Sequence, residues 1–131
     1  MITEAKIRSM VFPTTFSRGK GLYNRGNVRK LKVTEENRRY YISARVLGSS
    51  GKIYEVEVTL DEDKEKVLES YCDCPAYQTY DDLCKHSVAV LLEYIWREQR
   101  KDAKASSMVQ EESLEQLLLR LAVRVGVAVL T

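Results

Sequence analysis

The stretch YCDCPAYQTYDDLCKHSVAVLLEY, Tyr71–Tyr94, changes its hydrophobic period midway. Cys72 and Cys74 stand one residue apart where the chain reads as the end of a strand, so their side chains share a face and Asp73 points away. Pro75 lacks a donor for a sheet ladder and stops the strand. Beyond it, Val88, Leu91, Leu92, Ile95 and Trp96 recur at helical spacing, with Glu93, Arg97, Glu98 and Arg100 opposite. The stretch therefore predicts a strand that turns back into a long helix, from about Leu83 to Asp102.

All three cysteines and the only histidine of the chain lie within this stretch. Cys84 and His86, again one residue apart, fall at the expected helix start, where the first turn can bring both toward one point. A helix N-terminus also favours thiolate over thiol. Three thiolates and one imidazole suit a tetrahedral zinc ion: soft sulfur excludes magnesium and calcium, and a full shell of protein ligands is a structural one. Such a cluster carries about −1, which Lys85 or nearby backbone donors can offset. Zinc would fasten the end of the sheet to the helix and contribute its binding free energy to folding. Against this stand three readings: buried cysteines acting as small hydrophobes beside an ordinary helical histidine, a disulfide with one thiol left over, and a Cys/His nucleophile pair. An odd count without a signal peptide disfavours the disulfide, and no oxyanion site or second catalytic group accompanies the pair.

Upstream of the cysteines the period is two. Tyr40, Ile42, Ala44 and Val46 alternate with Tyr41, Ser43, Arg45 and Leu47; after Gly48-Ser49-Ser50-Gly51, Tyr54, Val56, Val58 and Leu60 alternate with Glu55, Glu57 and Thr59. This is an antiparallel hairpin, preceded by a strand over Val28–Val33 and followed by one over Val67–Cys72. The acidic Asp61–Lys66 reads as an exposed turn. Further back, Ile2, Ala5, Ile7, Met10 and Val11 fit a short helix capped by Thr3 and ended by Pro13. The segment TTFSRGKGLYNRGNV, Thr14–Val28, fits a second short helix that turns at Asn24–Gly26 into the sheet. Downstream, a polar linker within 101–110 precedes an apolar helix with a Leu114, Leu117, Leu118, Leu121 stripe.

With 131 residues and 44% hydrophobic content, the chain suits one compact α+β domain. The expected organisation is a zinc-binding domain over 1–103, with its core at 71–92, and a linker and C-terminal apolar helix over 104–131. No run of about 18 uncharged apolar residues exists, and Glu4, Lys6 and Arg8 stand where a signal peptide would be apolar. A cytoplasmic protein without membrane contact is expected. The net charge of +2 is unevenly spread: residues 1–50 hold 11 Lys/Arg against 3 Asp/Glu, and residues 51–131 hold 10 against 16. A charge run is commonly a solvated face; here the basic half is also a footprint for an anionic partner.

The pattern C-x-C, nine residues, C-x-H, with Pro75 after the second cysteine and an apolar helix after the histidine, resembles the SWIM zinc finger over Tyr71–Leu92. The resemblance implies a ββα zinc unit with Cys72, Cys74, Cys84 and His86 as ligands, and a role in DNA binding or protein contact. A broader resemblance, from FSRGKGLYNRGNV at Phe16–Val28 through the Tyr/Val-rich strands to the finger, is to the N-terminal region of bacterial Swi/Snf-type ATPases. In those proteins a helicase-like motor follows the finger. This chain contains no G-x-x-x-x-G-K-[ST] loop, so it is not expected to hydrolyse ATP by that route. Its apolar end is then either the beginning of a larger protein, a partner-binding helix, or a segment that packs back on the sheet.

The candidate DNA surface comprises Arg18, Lys20, Arg25, Arg29, Lys30, Lys32, Arg38 and Arg39. Phosphate contacts need only cations within reach of the backbone. No base-reading helix is evident, which implies weak sequence specificity. Tyr23 and Tyr40 read as core or half-buried strand residues ahead of stacking platforms. The rival is a protein-interaction module without nucleic-acid contact, favoured by the acidic second half; a thiol enzyme is the third class. The expectation is a non-enzymatic zinc module that binds DNA within or beside a Swi/Snf-type ATPase and takes no small-molecule substrate.

Overall fold

The computed structural model describes residues 1–75 and 83–101. Helix α1, Glu4–Met10, starts where Thr3 Oγ1 accepts from the Lys6 backbone N–H at 3.2 Å, and it turns only Ile7 fully inward. Pro13 does end this first helical segment, and it does so by opening another. It occupies the first turn of α2, Pro13–Asn24, where its missing N–H costs nothing. Gly26, at φ +71°, turns the chain out of α2. Asn27 then ties this turn to the far end of the second strand, donating through Nδ2 to the Leu47 carbonyl (3.0 Å) and accepting from the Leu47 N–H (2.9 Å).

Four antiparallel strands follow in spatial order β1-β2-β3-β4: Val28–Glu36, Arg39–Leu47, Ile53–Leu60 and Val67–Cys72. The first is longer than the expected Val28–Val33, because Asn37 and Arg38, at φ 52° and 62°, make a two-residue hairpin turn that keeps Glu36 opposite Arg39. The acidic turn between β3 and β4 is organised by Asp61, whose Oδ1 accepts from the Glu65 N–H (2.8 Å) and the Lys66 N–H (3.1 Å). These bonds hold its carboxyl below the usual carboxylate range.

Period two sorts the strand residues into two faces. Ile42, Ala44, Val46, Val56, Val58, Leu60 and Cys72 are buried with Ile7, Phe16 and Leu22 from the first two helices. Helix α3, residues 85–101, completes this core. Val88, Leu91, Leu92 and Ile95 are buried as their spacing predicts, but so are Ala89, Val90 and Tyr94, whereas Trp96 is 42% exposed. The first two turns of α3 are therefore enclosed on all sides, and the apolar stripe ends before Trp96.

Gly19 explains part of that enclosure. A Cβ built there would lie 2.6 Å from Val88 Cγ1 and 2.7 Å from the Lys85 carbonyl oxygen, so α2 touches the first turn of α3 through bare backbone. Residues Met1–Trp96 make up one compact unit. The expected linker beyond Lys101, the Leu114–Leu121 stripe and residues 76–82 lie outside the described residues.

Candidate metal centre

Cys72 closes β4 opposite Val56, and Cys74 follows two residues on with its side chain on the same buried side. Asp73 between them does point away, and it has work of its own. Its Oδ1 accepts from the Glu55 N–H at 3.0 Å, which continues the β3–β4 ladder with a side chain where the backbone has left it. Cys84 sits immediately before α3, where its carbonyl accepts from the Val88 N–H at 3.0 Å, and His86 is in the first turn. All four side chains are buried, and their ligand atoms lie within 4.8 Å of one another.

The separations test whether one ion fits. A tetrahedral zinc with Zn–S near 2.3 Å and Zn–N near 2.0–2.1 Å has S···N edges of about 3.6 Å. His86 Nδ1 stands 3.7 Å from Cys72 Sγ and 3.8 Å from Cys84 Sγ. These are longer than a good hydrogen bond and close to coordination edges. Nδ1 is thus the nitrogen that faces the sulfurs and would hold the ion. Nε2 is left buried with no hydrogen-bond partner among the described residues, and the Tyr54 ring lies against the imidazole at 4.4 Å between centroids, tilted by 33°. Four ligand atoms converge on one buried point with geometry that suits zinc.

The local field already favours thiolate at one ligand. The hydrogen bond shared with Cys72 draws the Cys84 thiol down to about 3, helped by His86 and by the hydroxyl and backbone N–H of Ser87. The Ser87 hydroxyl is 3.5 Å from Cys84 Sγ and donates to it when the sulfur is ionised. Cys72 moves the other way, because the same shared bond, burial and the Cys84 charge all favour its protonated form. A divalent ion needs its thiol ligands deprotonated, and Cys84 is where the surroundings already favour that loss.

Residues 56–95 match the SWIM zinc finger. No curated protein and no solved structure gives a match to the chain. The matched segment starts at Val56, the register partner of Cys72, and ends at Ile95, so the SWIM finger comprises most of β3, all of β4 and the buried turns of α3. It is a strand–strand–helix unit that brings Cys72, Cys74, Cys84 and His86 together. Zinc is the cofactor that this buried Cys3His cluster suits.

Four residues support the finger from outside the cluster. Tyr54 covers His86, and a Cβ at Gly48 would lie 2.7 Å from Tyr54 Cε2, so the turn glycine makes room for that ring. Ser87, where Lys85 was expected, places a hydroxyl 3.5 Å from the Cys84 sulfur. Gly19 seats α2 on the turn that carries His86. Only Gly19 left a signal, since two glycines inside a short helix weaken it and point to a close approach.

The eight candidate DNA contacts occupy a wider region. Arg18, Lys20 and Arg25 come from α2 and its C-terminal cap; Arg29, Lys30 and Lys32 from β1; Arg38 and Arg39 from the hairpin turn and the start of β2. Seven are exposed, while Lys20 is half-buried and ion-paired to Glu4 at 2.9 Å. Tyr23 and Tyr40 are half-buried as expected, Tyr40 beneath the Lys64 ammonium at 4.6 Å. Among the described residues the exposed tyrosines are instead Tyr41 and Tyr71. No helix among the described residues is long and apolar enough to cross a membrane.

Proposed function

We propose that the chain is a zinc-stabilised accessory module that binds DNA without strong sequence specificity, as part of or alongside a Swi/Snf-type ATPase. One observation carries the DNA reading: Arg18, Arg25, Arg29, Lys30, Lys32, Arg38 and Arg39 are all exposed, and none forms an ion pair with a described residue. Cations held in solvent on a folded scaffold are what phosphate contacts require. The ATPase association rests on the resemblance of Phe16–Val28 and the finger to the N-terminal region of those proteins.

Binding of labelled single- and double-stranded DNA over a salt series tests the reading. Affinity should fall steeply as salt rises, with a slope of about −0.9 per phosphate neutralised on a duplex and about −0.7 on a single strand. A salt-independent interaction, or none at low salt, removes it. Thiol titration of the zinc-loaded protein, with and without chelator, addresses the non-enzymatic role. Thiols inert until zinc is removed fit a structural centre, and a reactive thiol in the loaded protein points to an enzyme. The second reading, a protein-interaction module, draws on Glu55, Glu57 and Glu69, which are exposed on β3 and β4 and would repel DNA from that part of the sheet.

A further inference from the structure

The sheet has a helix-packed face and an open one. Register assigns the open face row by row: Arg29 with Arg45 and Glu55; Lys32 with Ser43, Glu57 and Tyr71; Thr34 with Tyr41, Thr59 and Glu69; Glu36 with Arg39. Directly opposed residues point to the same side. The charges divide along the line between β2 and β3. Arg29, Lys32, Arg39 and Arg45 share the β1–β2 half with Glu36, while Glu55, Glu57 and Glu69 occupy the other half with no cation in these rows.

Two features of the cationic half run against stability. Arg29 stands directly opposite Arg45, a like-charge cross-strand pair, which is destabilising by itself. Glu55 faces Arg45 from the other side, but the two are not ion-paired. The second feature is a bulge. The β1 register shifts between Arg29 and Lys32, and Lys30 there adopts φ 54°, a left-handed conformation uncommon for lysine. By strict alternation Arg29 and Lys32 would face opposite ways. The bulge turns Arg29 onto the open face beside Lys32 and Arg45 while Val28 enters the core. Between these cations and Arg39 lies Tyr41, 38% exposed.

We infer that the β1–β2 half of the open face is a binding strip for single-stranded nucleic acid, with Arg29, Lys32, Arg39 and Arg45 on the phosphates and Tyr41 stacking on a base. This rests on the reading that the cationic front of the chain meets nucleic acid, and it commits to which surface and which form. The strip is two strands wide, with about 5 Å between strands, and runs about 20 Å from Arg39 to Arg45. One phosphate backbone fits that width. A duplex would bring its second backbone toward Glu55, Glu57 and Glu69, and its paired bases would offer Tyr41 no free face. Charge with an aromatic platform, and no base-reading donors, is the pattern of sequence-tolerant single-strand binding.

The test uses the full zinc-loaded chain, anisotropy of labelled oligothymidine and oligouridine of about 12 nucleotides, and a duplex of the same length. The single strands should bind more tightly than the duplex. Tyr41→Ala and Tyr41→Leu should weaken them by about 5- to 150-fold while Tyr41→Phe binds normally. Arg45→Ala should lower the magnitude of the salt slope by about 0.7. Equal zinc content and far-ultraviolet circular dichroism establish that each variant is folded, with Tyr41→Leu as the guard if Tyr41→Ala is not. Binding that ignores Tyr41 and Arg45 but is lost in Arg18→Ala/Arg25→Ala overturns the strip and leaves nucleic-acid binding standing on α2. Failure of every nucleic acid to bind at low salt overturns both readings and leaves the two-signed face to a protein partner.

Discussion

The zinc centre and the cationic strip are built from opposite materials. At the centre, Cys72, Cys74, Cys84 and His86 are all buried, Cys72 paired with Val56 in the sheet and Cys84 beside Ser87 three residues on. On the strip, Arg29, Lys32, Arg39 and Arg45 are all exposed and share a face only because of strand register and one bulge. Burial makes the first region intolerant of change and ties it to folding. Exposure leaves the second free to vary in stability terms, so whatever constrains it must come from outside the molecule.

That contrast is most sharply broken or upheld by removing the metal. Chelation, or Cys84→Ser, should abolish the cooperative thermal transition followed by circular dichroism, since structural zinc sites contribute about 10–16 kcal/mol of apparent binding free energy that is also folding free energy. A transition that survives chelator unchanged would show that the hydrophobic core suffices alone.

Next in size is a pair of glycine substitutions two residues apart on α2. Gly19→Ala forces a methyl group onto Val88 and the Lys85 carbonyl and should cost about 1–3 kcal/mol in urea unfolding of the zinc-loaded protein. Gly21→Ala meets only the flexible Arg25 guanidinium, at 3.6 Å, and should stabilise by about 0.5–1 kcal/mol through helix propensity. Effects of the same sign would mean that α2 is not seated on the finger through Gly19.

Ser87→Ala removes the hydroxyl beside Cys84 Sγ and should lower zinc affinity by about tenfold, measured by competition with a chromophoric chelator. Unaltered affinity would reduce Ser87 to a packing role. Smallest of all, Lys32→Ala combined with Arg45→Ala should change unfolding free energy by no more than about 0.5 kcal/mol. A larger loss would mean that the strip, like the centre, is part of what holds the fold together.

Legibility in the sequence follows the same division. C-x-C at a strand end and C-x-H at a helix start each constrain their side chains through local geometry, so spacing alone was enough to expect these four residues in one cluster. The hairpin was equally readable, because Ile42, Ala44 and Val46 alternate as a half-buried strand must. Trp96 shows where periodicity misleads: it continues the apolar stripe of α3 in sequence but lies beyond the enclosed turns. Tyr54 shows what periodicity cannot contain, since its contact with His86 joins a strand to a helix 32 positions later.

By itself, then, the sequence determined the cluster of three cysteines and a histidine, the strand and helix order, and the presence of a basic front, all consequences of spacing or composition within a few residues. Only the tertiary structure decided which nitrogen of His86 faces the sulfurs, which glycine seats α2, and which tyrosines and arginines share an open face. Those depend on register, on a bulge that reverses the facing of Arg29, and on close approach between elements distant in the chain. A side chain's type is written locally, but its neighbours are assigned by how the elements pack.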